Sequence, residues 1–284
     1  MKEITLNGAK FQVAANTMEE LKNEALGDKN GEMYKFLAKF NASEPDIFIL
    51  DGFATKENLE IKEGSNVVFI RRGAMPEQEV LKAMIASRNS PELNAALASG
   101  CVGVAGLGGL GSNIALSLAR VGVKKLVLAD FDVVEPSNLN RQQYFVRHIG
   151  MKKTQALKEL INDVNPFVEV ETHDIFLDEK NVASVFGECE ILCEAFDNVA
   201  GKAMMVNEAG ASLRDKKIVG ASGMAGYFSS NLIKTVKFAR NVYLCGDLQN
   251  AAGVGQGLMA ARVAICANHE ANLAIRLLMG LEEV

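Results

Sequence analysis

Residues 101–111 read CVGVAGLGGLG. Cys101 to Ala105 have the length and small apolar composition of a strand buried on both faces. Gly106, Gly108 and Gly111 then fall in G-x-G-x-x-G spacing, and Ser112 to Val121 give a helix closed by Gly122, with Arg120 complementing its carboxyl end. Glycine lets such a turn tighten and lets backbone N–H groups approach a phosphate at the positive end of the helix dipole. The next strand, KLVLAD, ends at Asp130, about 20 residues on, where a carboxylate binds a ribose hydroxyl. These features fit NAD, FAD or ATP equally.

Downstream, residues 152–164 predict a helix that stops before Asn165-Pro166, followed by a strand over Val168–Glu171. ILCEAF and KIVGAS are two more strands with helix between them. The alternation predicts an α/β, Rossmann-like, doubly wound and mostly parallel sheet. Residues 227–244 read as added antiparallel strands and 258–279 as a C-terminal helix.

Upstream the rhythm differs. Ile4 and Leu6 begin a strand, Asn7-Gly8 suits a type I′ turn, and Phe11 and Val13 return. Thr17 and Glu20 form a capping box before a helix through Leu21, Ala25 and Leu26. Ile47 to Leu50 is a strand ended by Asp51-Gly52, and Val67 to Arg71 is the last. Hairpin, helix and further strands are the order of a ubiquitin-like grasp, and the pattern alone also fits other small α+β domains. Residues 74–99 read as helical, with Pro76 at a first helical position and Ser90-Pro91 as a second start signal. The expected domains are 1–73, ubiquitin-like; 74–99, a helical linker; and 100–284, nucleotide-binding.

Composition narrows the function classes. The 284 residues are 49% hydrophobic and 23% charged, the balance of a soluble globular protein. No tryptophan and a net charge of −5 argue against a nucleic-acid partner, which needs a basic, aromatic surface. MKEITLNGAKF carries no signal-like apolar stretch and no run approaches a membrane span, so a cytoplasmic protein without a membrane role is expected. Five irregularly spaced cysteines are expected to be free thiols.

The neighbourhood of the glycine turn decides among the nucleotides. LARVGVKKLVLADFDVVEPSNLNRQQYF, GMKKTQALKELINDVNP, EAFDNVAGK and GASGMAGYFSS resemble the ThiF/MoeB/HesA family, the activating enzymes of ubiquitin-like and sulfur-carrier proteins. The resemblance covers roughly residues 85–280. It implies an adenylyltransferase that uses ATP and magnesium to adenylylate the C-terminal carboxylate of a small carrier ending in Gly-Gly, in thiamine or related sulfur-cofactor synthesis. It places Lys153 at the family's phosphate-binding lysine and Asp197 at its catalytic, magnesium-associated aspartate. It also implies a homodimer in which Arg88 reaches the partner subunit's ATP, and an N-terminal unit similar to ThiS.

Chemistry asks for the same residue types. An anionic carboxylate attacking a triphosphate needs cations and a metal to neutralise the charge gathering on pyrophosphate. Arg141 and Lys153 are suitable cations and Asp197 a suitable metal ligand. Gly106, Gly108, Gly109 and Gly111 would bind the phosphates and Asp130 the ribose. Asn138 and Gln142 either hydrogen-bond the nucleotide or orient Arg141, and Asp132 either contacts the nucleotide or steadies the Arg141 loop. Asp197 also fits a helix cap near Val199. Lys202, five residues after Asp197, stands where the family usually has arginine, so charge is kept and bidentate phosphate binding is lost.

Two further departures matter. Cys189 and Cys193 have three residues between them and there is no second pair, so the family's four-thiolate zinc is not expected. Cys245 is the candidate for covalent sulfur chemistry, beside an inert, partly buried alternative. The N-terminal unit reaches FIRRGAMP and continues, leaving no free carboxylate. The competing functions are NAD-dependent oxidoreduction, a degenerate nucleotide-binding scaffold, and adenylylation of another carboxylate.

Overall fold

A computed structural model describes residues 1–39 and 41–284, with the backbone alone for Glu79 and Ala209. The chain divides into two compact units, Met1–Ala95 and Ala96–Val284.

The first unit opens with β1 (Lys2–Leu6) and β2 (Ala9–Val13). Asn7 and Gly8 both take positive φ, +47° and +89°, as a type I′ turn requires. Helices α1 (Met18–Gly27) and α2 (Glu32–Lys39) follow, then β3 (Ile47–Leu50), β4 (Phe53–Ala54) and β5 (Asn66–Ile70). Thr17 Oγ1 caps α1 by accepting from Glu20 N, while the Glu20 carboxylate reaches back to Asn16 N, one residue earlier than a standard box. The sheet order is β2-β1-β5-β3-β4 with β1 and β5 parallel, the mixed arrangement of a grasp fold. Ile4, Leu6, Val13, Leu21, Val67 and Phe69 belong to its core. Val68 and its cross-strand partner Ile49 point to the other face and are also buried. That face meets α3 (Gln78–Ile85), where Val80 is buried and Ala83 fills the space a Cβ on Gly8 would need. Glu77 is the N-cap, so Pro76 lies before the helix and not at its first position. A 3₁₀ turn, Ala86–Arg88, leads to α4 (Pro91–Leu97), whose first turn is capped by Ser90 Oγ.

The second unit carries β6 (Cys101–Ala105), α5 (Gly109–Val121), β7 (Lys125–Ala129), α6 (Lys153–Val164) and β8 (Glu169–His173). After them come α7 (Val182–Val185), β9 (Ile191–Glu194), α8 (Val199–Ala211) and β10 (Lys217–Ala221). The chain finishes with β11 (Lys234–Ala239), β12 (Val242–Gly246) and α9 (Ala260–Leu278). Gly122 closes α5 at φ +94°, the left-handed cap its sequence position suggests.

The seven strands run β11-β12-β10-β9-β6-β7-β8, and all neighbours but β11 and β12 are parallel. The antiparallel addition is therefore shorter than 227–244 suggested, and β12 continues the parallel sheet beside β10. α5 and α9 pack together on one face, with α9 also meeting β9, β10 and β12. On the other face Val182, Val185, Phe186 and Met205 join Val127, Leu192 and Ile218 in one core. The chain leaves β6 one way to β7 and β8 and returns to β9 on the other side. The carboxyl ends of β6 and β9 thus flank a topological switch point, where open α/β sheets bind their ligands. Among the described residues no helix is long and apolar enough to cross a membrane.

Candidate active site

At the switch point the two loops touch. Gly106 takes φ +89°, and a Cβ there would lie 2.9 Å from the carbonyl oxygen of Ala195. Gly111 is more tightly bound, since its Cβ would sit 1.8 Å from Gly106 O. Asp130 holds this turn, its Oδ2 accepting from Leu107 N at 2.6 Å and its Oδ1 from Asp132 N at 2.8 Å. Each carboxylate oxygen has a further lone pair, so Asp130 braces the loop and can still accept a hydroxyl from the cleft it lines.

Above the turn lies a cleft of about 1060 Å³. Its lining includes Gly106, Gly108, Gly109, Asp130, Asp132 and Asn138, together with Arg141, Gln142, Lys153 and Asp197. Residues spread over 92 positions of the sequence, from Gly106 to Asp197, therefore meet in one space. Gly111 is packed beneath its floor. Arg88 belongs to the first unit, exposed on the turn after α3.

The segment carrying Arg141 is stitched to α5. Asn113 Nδ2 donates to Gly109 O at 2.7 Å, Gln143 Nε2 donates to Asn113 Oδ1 at 2.6 Å, and Tyr144 Oη donates to Leu107 O at 2.8 Å. Burial, then Asp130 and Asp132, raise the Tyr144 phenol well above its ordinary range, so it stays a donor. Arg141 packs its stem beside Gly109 and turns its guanidinium to Ser137 O and Asn140 Oδ1. Asn138 is buried and its Oδ1 accepts from Glu135 N, which commits that atom to the turn before Arg141. Gln142 lies against Gly108, and its Oε1 is buried without a hydrogen-bond partner. A buried acceptor left bare beside a cleft is a place for a ligand's donor.

Asp132 grips Lys153, not the Arg141 loop: its Oδ2 accepts from Nζ at 2.8 Å. The Lys153 side chain is only 8% exposed, so its ammonium is fixed at the cleft wall. Asp197 is not the cap of α8. Asn198 is, accepting from Gly201 N at 2.7 Å, and its Nδ2 donates to Asp197 Oδ1 at 3.4 Å. The aspartate is left facing the cleft.

Lys202, which keeps the charge the family has at this position, has its ammonium engaged by a neighbouring carboxylate. Its Nζ donates to both oxygens of Glu194, at 3.0 and 3.1 Å. Nothing in the sequence pairs these two, because they come together only when the end of β9 faces the first turn of α8. The cysteines are all free and buried. Cys245, expected to be partly buried beside a loop, is fully buried in β12, and burial pushes its thiol far up, away from the thiolate form that reacts.

Among the described residues no three His, Cys, Asp or Glu side chains converge as a metal cage. Magnesium does not require one. It is held by one or two carboxylates with waters and substrate phosphates, and Asp197 facing a phosphate-sized space fits that donor set.

The sequence matches the ThiF family over residues 82–284, most of the chain. This protein belongs to the ThiF family. Residues 28–73, within the first unit, match the ThiS-like ubiquitin family. A probable adenylyltransferase/sulfurtransferase, MoeZ, of Mycobacterium tuberculosis is 36% identical over 107 residues, 37% of this ThiF-family chain and 27% of the relative. The match thus spans about a quarter of that relative's length. The molybdopterin-synthase adenylyltransferase of Escherichia coli is 29% identical over 183 residues, 62% of this chain and 72% of the relative. Among solved structures, the E. coli tRNA N6-threonylcarbamoyladenosine dehydratase TcdA in complex with ATP superposes with a TM-score of 0.63 at 22% identity, covering 69% of this chain and 93% of that one. The likeness confirms the fold of the second unit.

Proposed function

We propose that this chain adenylylates the C-terminal carboxylate of a small ubiquitin-like sulfur carrier, with ATP and magnesium. The observation that carries the reading is the cleft itself. A glycine turn at a helix N-terminus, the cations Arg141 and Lys153 and the aspartate Asp197 share one space at the switch point, with a bare acceptor, Gln142 Oε1, beside the turn.

The chemistry follows from these positions. The triphosphate lies at the amino end of α5, beside Gly108 and Gly109, where the helix dipole and the first-turn N–H groups favour anions. A carboxylate oxygen of the carrier tail attacks the α-phosphorus. The bond to the α–β bridging oxygen breaks, and pyrophosphate leaves with the electron pair. Arg141 and Lys153 take up the charge that gathers on it. Magnesium, held at Asp197, would supply Lewis-acid neutralisation of the phosphates. Asp132 keeps the Lys153 ammonium in place, and Asp130 and Gln142 address the ribose or the base.

The finer reading is thiamine-type sulfur chemistry in a cytoplasmic homodimer with Arg88 acting toward the partner subunit's ATP. The ThiS-like match in the same chain supports the sulfur chemistry, and the homodimer and the Arg88 role rest on the family resemblance alone. The N-terminal unit is proposed as a carrier look-alike and not a substrate, because Gly73 is bonded to Ala74 and offers an amide where a carrier offers a carboxylate. The test is mass spectrometry of Gly-Gly carriers incubated with the protein, ATP and magnesium. One AMP added at a carrier's C-terminus is the expected result. Tight binding of NAD with none of ATP would overturn the reading.

A further inference from the structure

We propose that Lys202 and Glu194 form a positioning pair that holds the Asp197 turn, with the Lys202 ammonium spent on Glu194 and not on the triphosphate. The proposal rests on the adenylylating reading above.

β9 ends at Glu194 and α8 begins at Val199, and the turn between them carries Asp197. A carboxylate at the end of a central strand is costly. Burial pushes the Glu194 carboxyl up, and the Lys202 ammonium with the Phe196 amide pulls it back. The geometry shows how. Lys202 Nζ reaches both carboxylate oxygens from the first turn of α8, and Oε1 also accepts from Phe196 N at 2.8 Å. One buried group thus ties the start of the turn to the helix beyond it. The surroundings are cut to admit the pair. A Cβ on Gly220 of the neighbouring strand would lie 2.8 Å from Glu194 Oε2, and one on Gly201 would lie 3.0 Å from the Phe196 ring.

Lys202 lines the cleft, so reach alone does not stop it from turning to a phosphate. The interior behind it does. Glu270 on α9 is fully buried, neither of its oxygens has a hydrogen-bond partner, and its carboxyl is raised by burial and by Glu194. Were Lys202 to leave, two carboxyl groups would share an apolar interior with no cation between them. Two of the three ammonium protons are already engaged, and the arrangement keeps them there. Lysine therefore serves at this position where a forked guanidinium would be wanted for phosphate.

The experiment compares Glu194→Gln, Lys202→Met, Lys202→Arg and the Glu194→Gln/Lys202→Met double variant in the full chain. Each single break is expected to lower the saturated rate of carrier-dependent pyrophosphate exchange by roughly 10²-fold, the cost of misplacing a reacting group. The ATP KM should stay within ~2-fold, the sign that no ground-state contact was lost. The double variant should lose no more than either single one, because one interaction is removed in all three. Lys202→Arg should restore most of the rate. Near-normal turnover in Glu194→Gln, with a raised ATP KM in Lys202→Met, would make Lys202 a phosphate ligand and end the proposal. The double variant strands no charge, which guards against a misfolded Lys202→Met.

A second readout needs no activity. Hydrogen exchange over residues 195–202, without ATP, should quicken at least ~10-fold in both single variants, as expected for lost local structure. Unchanged exchange there would overturn the pair. Asp197→Asn separates the two levels. If it keeps full turnover while Glu194→Gln loosens the segment, the pair stands and the functional reading of Asp197 falls.

Discussion

At Gly111 a Cβ would sit 1.8 Å from Gly106 O, closer than any contact side-chain rearrangement can relieve. Gly111→Ala is therefore expected to push the glycine turn out of register and abolish ATP binding in a calorimetric titration. An alanine variant that binds ATP normally would show that the turn does not hold the phosphates. Asp197→Asn removes charge at nearly constant shape, and Lys153→Ala removes the ammonium together with its stem. Each should cost more than ~10²-fold in AMP transfer, the scale for a lost electrostatic stabiliser, with the circular dichroism spectrum unchanged. A variant with near-normal transfer would remove that residue from the chemistry. These residues could be picked from the sequence because each sits in a motif read along one stretch of chain. Their partners could not. That Asp132 serves Lys153 and that Lys202 serves Glu194 depends on how separate elements face one another.

The loops that complete the cleft after β10 and β12 are locked by a buried ion pair between elements. Arg262 in the first turn of α9 is 1% exposed and its guanidinium donates to Phe228 O, Ser229 O and the Asp247 carboxylate. Burial alone would raise Asp247, but Asn250, the Gln249 amide and Arg262 outweigh it and hold the carboxyl down at about 2. A carboxyl depressed in the folded state contributes stability that is fully present above its unfolded pKa and is lost as pH falls through the folded one. Urea midpoints should accordingly drop between about pH 4 and pH 2, and Asp247→Asn should flatten that part of the profile. Asp247→Ala at neutral pH leaves Arg262 buried without its counter-charge and should cost about 3–5 kcal/mol. A loss below ~1 kcal/mol would mean the loops do not depend on the pair.

Glu270 tests the opposite sign on α9. Burial and Glu194 raise its carboxyl, with Lys202 opposing, and the thiols of Cys193, Cys245 and Cys266 lie around it. A raised carboxyl costs stability once pH exceeds its unfolded value, so Glu270→Leu should raise the denaturation midpoint more at pH 8 than at pH 5. An equal gain at both pH values would show that its ionisation plays no part. Strand and helix order in the second unit could be read from the sequence because apolar runs alternate with capped helices. The parallel course of β12 could not, since direction is set by pairing with β10 and not by local pattern.

The whole molecule joins a doubly wound unit, open at its switch point, to a grasp unit whose terminal glycine is internal to the chain. Gly73 takes φ +72° with no neighbouring atom to crowd a side chain, so its glycine character is a matter of backbone conformation and not of close packing. Its resemblance to a carrier tail was legible in RRG, while the burial of the sheet's second face under α3 required the fold. If the chain is a homodimer, light scattering at micromolar concentration should give twice the 30.6 kDa chain mass. A monomer that still turns over would exclude any contribution of Arg88 across subunits. Transfer of AMP to a carrier carboxylate is measured by ATP–pyrophosphate exchange with the intact chain, alone and with carriers ending in Gly-Gly. No exchange is expected from the chain alone, and rapid exchange once a cognate carrier is added. ATP binding confirmed by titration, with no exchange for any carrier, would contradict that transfer.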